Sequence, residues 1–276
     1  MMLDELDYKE PSCALCGGKE FYNPDKDQPD GRIPVMRVIE KLDGFLNKNL
    51  MDDARVHLEY WKNEASALRD KQGELAVTDE LIGLYRKMGE RELAFSACDR
   101  ALALLKELGL DGTVTSATVL LNAATAYKAF GKAQDALPLY ERAQKIYDGH
   151  LQPDDPLVAG LYNNTALALA DLKRYGEAEE FYLKAIAITE KTDTGAPDAA
   201  ISYVNLAHCY YEQKKDKSDI TDCMFKAYGL LCGENVPQNG YLAYVLSKCY
   251  PSFEFFGYGR IAAELKEKSE KLYAGA

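Results

Sequence analysis

The sequence lacks long apolar runs and a recognisable leader. No uninterrupted apolar stretch in the 276 residues approaches the roughly 20 that a membrane-spanning helix needs. The first ten residues, MMLDELDYKE, contain neither the basic region nor the apolar region of a secretory signal. These absences predict a chain that does not span a membrane, and they favour the cytoplasm as its location.

An excess of basic residues is also missing. The chain has 44 Asp and Glu against 33 Lys and Arg, and the resulting net charge of -11 repels nucleic-acid phosphates and anionic lipids. The densest basic stretch, Lys214-Lys215-Asp216-Lys217, is interrupted by an acid and lies at a predicted turn, so we interpret it as a solvated loop. The composition therefore predicts neither a nucleic-acid partner nor a membrane partner.

A disulfide framework is not expected, because the seven cysteines are odd in number and mostly scattered through predicted helices. Cys13 and Cys16 stand apart, in a segment of residues 1–34 that has no helical period. They form one half of a zinc-ribbon pattern, and no second pair of ligands follows to complete a tetrahedral site. We expect no cofactor, with Cys13 and Cys16 as the candidate zinc ligands. A metal shared between two chains, a redox pair and a vestigial knuckle remain alternatives.

The chain does contain a repeat with a period of 42 residues. A small residue returns at this interval on the second helix of each predicted pair, at Ala101, Ala143, Ala185, Ala227 and Ser269. An earlier position on the same helices reads Ala94, Ala136, Ala178, Ile220 and Ala262. The turn before it reads Gly89, Gly131, Lys173, Lys215 and Gly257. Large residues mark the first helix at Tyr85, Tyr127, Leu169, Tyr210 or Tyr211, and Phe253.

This pattern is typical of antiparallel helices that cross closely. A side chain larger than alanine at the crossing forces the backbones apart, whereas tyrosine and leucine fill the wider gaps on either side. Glycine in the turn adopts the left-handed conformation that ends the first helix. One pair cannot bury both of its faces, so consecutive pairs must stack on one another. The sequence therefore predicts an all-α fold of stacked helical hairpins.

The repeated residues resemble the tetratricopeptide repeat, with good matches at 81–102, 122–143 and 164–186 and weaker ones at 205–227 and 249–269. A divergent first repeat covers 35–70. The period of 42, the loop at 153–156 and the following Asn163-Asn164 resemble the repeats of kinesin light chain and its bacterial relatives. The resemblance implies a right-handed α-α superhelix of five to six hairpins after the cysteine-bearing segment at 1–34. Its approximate repeats are 35–73, 74–112, 113–155, 156–196, 197–235 and 236–276.

The resemblance also implies binding of a peptide or protein segment along a concave groove lined by the first helix of each pair. The candidate groove residues in this register are Thr118, Asn122, Thr125, Lys128, Asn163, Asn164, Leu167, Asn205, His208 and Tyr211. Asn122, Asn164 and Asn205 occupy equivalent places, and an amide can both donate to and accept from a peptide backbone. The alternative is that each asparagine bonds to a neighbouring helix. The basic residues that clamp a terminal carboxylate in some family members are missing, since Thr118, Gly160 and Ile201 take those places.

Catalysis is not expected. His57, His150 and His208 fall in different repeats, and no serine, cysteine or lysine lies in a recognised nucleophile motif. We therefore predict a non-enzymatic adaptor or scaffold. Two other functions remain open: a sensor of peptide signals resembling bacterial tetratricopeptide regulators, and a metal- or redox-responsive regulator that works through Cys13 and Cys16.

Overall fold

The computed structural model describes residues 28–192 and 195–275, and the regular structure within these ranges is entirely helical. The helices are α1 (Val35–Asn47), α2 (Met51–Ala67), α3 (Lys71–Met88), α4 (Arg91–Leu108), α5 (Val114–Ala129), α6 (Ala133–His150), α7 (Pro156–Asp171), α8 (Tyr175–Thr189), α9 (Ala196–Glu212), α10 (Lys217–Cys232), α11 (Gly240–Phe255) and α12 (Gly259–Ala274). None of these described helices combines the length and the apolar character needed to cross a bilayer.

From α3 onward, consecutive helices pack as antiparallel pairs, in which we name the first member helix A and the second helix B. The two helices of α3–α4, α5–α6, α7–α8, α9–α10 and α11–α12 lie against each other along their length. These packed pairs confirm the predicted all-α repeat architecture. The chain divides into an N-terminal unit that ends at His150 and a C-terminal unit that begins at Leu151 and also includes Asn47–Asn49. The N-terminal unit holds α1–α6 apart from Asn47, the last residue of α1, and the C-terminal unit holds α7–α12.

The small residues of the 42-residue period lie where helices A and B cross, as predicted. Seven of the alanines have no exposed surface: Ala94, Ala101, Ala136, Ala143, Ala178, Ala185 and Ala227. Ser269, which takes the alanine place on α12, is 4% exposed, and its hydroxyl donates to the carbonyl of Ala243 on α11 at 2.7 Å. A small hydroxyl therefore substitutes for a methyl group because it finds an acceptor on the facing helix.

The turn between helices A and B uses one left-handed residue in each of the last five pairs. Gly89, Gly131 and Gly257 have φ between 78° and 88°, and Lys173 has φ 61°. The period places Lys215 at the fourth of these turns, but the left-handed residue there is Lys214, with φ 57°. The interval between the left-handed residues Lys173 and Lys214 is one residue shorter than the period, so this prediction was wrong by one position.

The pairs α5–α6 and α7–α8 are joined by a loop that contains Pro153 and ends at Pro156, where α7 starts. Pro156 is the first residue of α7, where its missing N–H has no helical acceptor to lose. The carboxylate of Asp155 accepts a hydrogen bond from the backbone N–H of Leu157 at 2.8 Å and caps the helix. This geometry accounts for the sharp start of α7 at Pro156.

Replacement of glycine by alanine should have opposite effects on stability at a left-handed turn position and at an ordinary helical position. Gly131→Ala should lower the free energy of unfolding by about 1 kcal/mol, since alanine disfavours φ 78° and no neighbouring atom lies within 4 Å to add a clash. Gly160→Ala, at an open helical position of α7, should raise it by roughly 0.5–1 kcal/mol. Urea denaturation followed by circular dichroism measures both, and the same sign at both positions would contradict the account.

Candidate functional site

The A helices of the C-terminal unit lie side by side, since α9 contacts both α7 and α11. Polar side chains connect them in a row, which we call the A-helix row. Asn163 on α7 accepts hydrogen bonds from the Asn205 amide and the Ser202 hydroxyl of α9, each at 3.2 Å. Further along, His208 of α9 lies 2.9 Å from the Ser252 hydroxyl of α11. These bonds fix the register of neighbouring A helices.

The N-terminal unit has an equivalent connection between its A helices α3 and α5. The Asn122 amide donates to one carboxylate oxygen of Asp79 at 2.9 Å. Asp79 is only 2% exposed, and its other oxygen has no hydrogen-bond partner within the described residues. Burial raises the pKa of Asp79 to about 7, and the negative charge of Glu80 adds to the rise, while the bond from Asn122 opposes it. The carboxyl group therefore holds its proton until near neutral pH.

Asn122 and Asn205 thus make corresponding bonds, each donating to a side chain of the preceding A helix. The structure therefore agrees with the alternative interpretation for Asn122 and Asn205, in which each asparagine bonds to a neighbouring helix. Their carbonyl oxygens carry no hydrogen bond from this contact, so capture of a passing peptide backbone by these residues stays a prediction. Asn164, the third asparagine of the set, is half-buried in α7, and its side chain makes no hydrogen bond with the described part of the chain.

Two of the candidate residues face helix B of their own pair. Thr118 and Thr125 on α5 each bond to a carbonyl one turn earlier in the helix. The Thr118 hydroxyl also lies 3.0 Å from the hydroxyl of Tyr147, and that of Thr125 lies 3.1 Å from the hydroxyl of Tyr140. Both tyrosines belong to α6 and are buried. The threonines therefore hold α5 against α6, while Lys128 and Leu167 are half-buried on α5 and α7.

A cluster of four aromatic rings lies where α9 and α11 end, and we call it the aromatic cluster. The His208 ring centroid is 5.4 Å from that of Phe255 and 4.8 Å from that of Phe256. Tyr211 lies 5.3 Å from Phe255 and 5.9 Å from Phe256. Tyr211 is 50% exposed and Phe255 is 58% exposed, so two large rings reach solvent side by side.

The electrostatics of the aromatic cluster favour an uncharged histidine. Burial lowers the pKa of His208, and the nearby Glu212 carboxylate only partly opposes this shift. The imidazole is therefore neutral at physiological pH and bonds Ser252 as part of the A-helix row. A neutral ring packed on two phenylalanines offers an apolar surface with one fixed polar contact.

Sequence reasoning identified His208 and Tyr211 but missed Ser252, Phe255 and Phe256. The strict period of 42 placed Phe253 in the repeat, and Phe253 is indeed fully buried. His208 pairs with a residue 44 positions later, so the offset between α9 and α11 is longer than the period. Searching the stretch Phe253-Glu254-Phe255-Phe256 at that longer offset would have found the partners of both residues.

The candidate metal ligands Cys13 and Cys16 lie outside the described residues. Within residues 28–192 and 195–275, no three His, Cys, Asp or Glu side chains come together as a metal site. The five described cysteines are free thiols, and burial raises the pKa of Cys98 and Cys249 to about 12 and that of Cys223 to about 11. These three thiols are therefore protonated and unreactive.

The histidines do not form a shared site. His57 bonds the carbonyl of Val38 at 2.9 Å, and His150 bonds the carbonyl of Ile146 at 2.8 Å. The third ring, that of His208, bonds the Ser252 hydroxyl, so each histidine has a different hydrogen-bond partner. Among the described residues, His208 lies beside the Ser252 hydroxyl, whereas His57 and His150 bond backbone carbonyls, so the three rings do not share a site.

Comparison with known proteins agrees with this architecture. The tetratricopeptide repeat family model matches residues 74–148 and 157–218. A search of curated proteins with this sequence finds no match. Solved structures that match include PlcR of Bacillus thuringiensis, crystallised with the peptide PapR7 and DNA, at 14% identity and a TM-score of 0.57; 71% of this chain and 69% of that one are covered.

Two further structures concern kinesin light chain. Nearly identical TPR-like repeats of a Podosopora anserina protein designated a kinesin light chain share 19% identity, with a TM-score of 0.51 over 73% of this chain and 95% of that one. BtubC (BKLC) from P. vanneervenii shares 20% identity, with a TM-score of 0.50 over 87% of this chain and 91% of that one. The chain is a member of the tetratricopeptide-repeat family, and its fold is similar to that of kinesin light chain repeats.

Proposed function

We propose that this chain is a cytoplasmic, non-catalytic adaptor that binds a peptide or protein segment on the A helices of its C-terminal unit. The observation that carries the proposal is the aromatic cluster, in which Tyr211 and Phe255 expose half or more of their surface beside one another. Large aromatic rings are costly to leave in water, and they are the side chains that most often anchor a protein partner.

The A-helix row continues this surface with polar groups. Asn163 and Asn164 lie on α7, and Asn205 lies on α9, the helix that carries His208 of the aromatic cluster. Amide side chains are therefore present on the helices next to the aromatic cluster. An extended segment needs such groups for its backbone and an apolar contact for a side chain. The surface offers both within three neighbouring helices.

Family membership supports a binding role of this kind. Tetratricopeptide repeats serve protein interactions, and one matching structure, PlcR, holds a peptide. A sensor of peptide signals would use the same surface, and PlcR is the observation that favours it as the second candidate. The two functions differ in whether a short peptide alone binds with high affinity.

The proposal is tested by selecting peptides that bind the wild-type chain from a random display library and measuring their affinity by fluorescence anisotropy. The double variant Tyr211→Ala with Phe255→Ala should weaken binding by about tenfold or more, because it removes the exposed anchor rings. Both residues are largely exposed, so the variant should keep its helicity and its melting temperature.

A matched control is available on a B helix of the same unit. Phe225 on α10 is 52% exposed, so Phe225→Ala removes a comparable aromatic surface outside the proposed site. Affinity should be unchanged in this variant. Equal losses in the two variants, or peptides that bind the double variant as tightly as the wild type, would refute the site.

A further inference from the structure

A pocket lies in the N-terminal unit, between helices α2, α3 and α4. One stripe of α3 forms its wall: Glu74, Thr78, Leu81 and Tyr85 follow one another at intervals of three or four residues, which places them on one helix face. The pocket has a volume of about 280 Å³. None of its lining residues belongs to α5, so it is separate from the contact between Asp79 and Asn122.

Thr78 is the unusual residue of this pocket. It is only 1% exposed, and its hydroxyl has no hydrogen-bond partner in the described part of the chain. Four other helical threonines all donate to the carbonyl one turn earlier, at 2.8–3.2 Å: Thr118, Thr125, Thr165 and Thr189. Thr78 forgoes this bond, and a buried hydroxyl without a partner costs folding free energy. A ligand that hydrogen-bonds to it would remove that cost.

The charges around the pocket leave one cation without a matching anion. Glu74 is 6% exposed, and both of its oxygens accept bonds from Arg100 at 2.7 Å, so its charge is neutralised within the wall. Arg100 also bonds Glu107 at 3.0 Å. Lys62 lines the pocket from α2 and forms no ion pair with a described residue. The lining side chains of Lys62, Glu74 and Arg100 therefore carry one net positive charge, and the Glu59 carboxylate lies next to them on Tyr85.

The remaining walls are apolar. Leu81 is fully buried, Ala97 is 8% exposed and Leu93 is 40% exposed, which makes Leu93 one of the large apolar side chains that α4 leaves open to water. The hydroxyl of Tyr85 donates to Glu59 at 3.0 Å, so it is satisfied without a ligand. A guest must therefore bring apolar surface, a hydrogen-bonding group for Thr78 and a negative charge for Lys62.

We propose that this pocket binds a small carboxylic acid with an apolar body. The hydrocarbon part would contact Leu81, Leu93 and Ala97, and the carboxylate would lie beside Lys62 and within reach of Thr78. A volume of about 280 Å³ limits the guest to roughly the size of one large amino-acid side chain. Two sources supply this chemistry: a free carboxylic acid, or the last residue of another polypeptide. The site is independent of the proposed adaptor function, because it uses different helices.

Isothermal titration of the full chain with three probes tests the pocket. We expect saturable binding of 4-methylpentanoate, which represents a free acid, and of N-acetyl-leucine, which represents a chain end. The neutral 4-methylpentanamide should bind about tenfold more weakly, because it lacks the charge that Lys62 recognises. The tighter of the two acids identifies the source. Absence of saturable binding by both acids would overturn the proposal.

Two pocket variants and two matched controls locate the binding. Thr78→Val and Lys62→Met should each weaken acid binding by roughly fivefold to tenfold. Thr78→Val should at the same time raise the melting temperature by roughly 2–4 °C, because it removes an unpaired buried hydroxyl without changing shape. This combination of greater stability and weaker binding is not expected of a purely structural residue.

The controls separate the pocket from general effects. Thr125→Val removes two hydrogen bonds, so it should lower the melting temperature and leave acid binding unchanged. Lys106→Met makes the same charge change as Lys62→Met at an exposed position of α4, and it should also leave binding unchanged. If the acids bind Thr78→Val and Lys62→Met as tightly as the wild type, the pocket is not their site.

Discussion

Replacement of Ala185 by leucine is expected to lower the free energy of unfolding by about 3 kcal/mol, whereas Ala187→Leu should change it by less than about 0.5 kcal/mol. The two alanines lie two residues apart on α8. Ala185 has no exposed surface where α8 packs against α7, and Ala187 is exposed to solvent. Three additional carbon atoms at Ala185 have no space between the two backbones, so the helices must separate or the side chain must adopt a strained rotamer.

The comparison is sharp because both substitutions add the same side chain to the same helix. Leucine and alanine are both good helix formers, so intrinsic propensity contributes little to the difference. Urea denaturation followed by circular dichroism gives both values, and the transition of the C-terminal unit is the one that should shift. Similar losses for the two variants would mean that the crossing of α7 and α8 tolerates a large residue, contrary to the packing described above.

The crossing alanines were predictable from sequence because their constraint is local and repeats. Ala94, Ala136 and Ala178 must each be small wherever helix B crosses helix A, whatever the rest of the pair contains. The same holds for the left-handed residues Gly89 and Gly131, which end helix A in the same way. Positions with one physical requirement per repeat keep their spacing, and the spacing revealed the fold.

The partners of the candidate site were harder to predict because the connections between pairs vary in length. The interval from Lys173 to Lys214 is one residue shorter than the period of 42. The contact between His208 and Ser252 spans 44 positions, which is longer than the period. A change of one or two residues in a loop costs little free energy, yet it changes which side chains of α9 and α11 meet. The aromatic cluster therefore emerged only from the structure, although Tyr211 had been identified.

The unpaired hydroxyl of Thr78 has no sequence signature at all. Thr78 and Thr125 are both threonines inside a helix. Only the side-chain rotamer decides whether the hydroxyl bonds the carbonyl one turn earlier, as it does in Thr125 and does not in Thr78. The burial of Asp79 also has no sequence signature, because an aspartate in a helix is usually exposed to solvent. Buried polar atoms of this kind depend on how several helices pack together, which periodicity does not record.

Asp79 provides the clearest pH-dependent prediction. In the unfolded chain its carboxyl group ionises near its ordinary pKa of 3.8, whereas in the folded chain it keeps its proton until about pH 7. Between these values the folded state binds more protons than the unfolded state, so the contribution of Asp79 to stability falls as pH rises and stays low above pH 7. An uncharged residue of the same shape should escape this loss.

Asp79→Asn is therefore expected to raise the free energy of unfolding by roughly 3–4 kcal/mol above pH 8, and to leave it nearly unchanged below pH 4. The pair of Asn163 and Asn205 in the C-terminal unit shows that two amides can make this contact between A helices. One buried polar atom lacks a partner before and after the substitution, so the difference isolates the cost of the charge. Urea denaturation at pH 4 to 9 measures it, with the exposed Asp111→Asn as the control that should follow the wild type. A gain of equal size at every pH would show that the substitution acts through packing, and that Asp79 is not the group whose ionisation destabilises the fold.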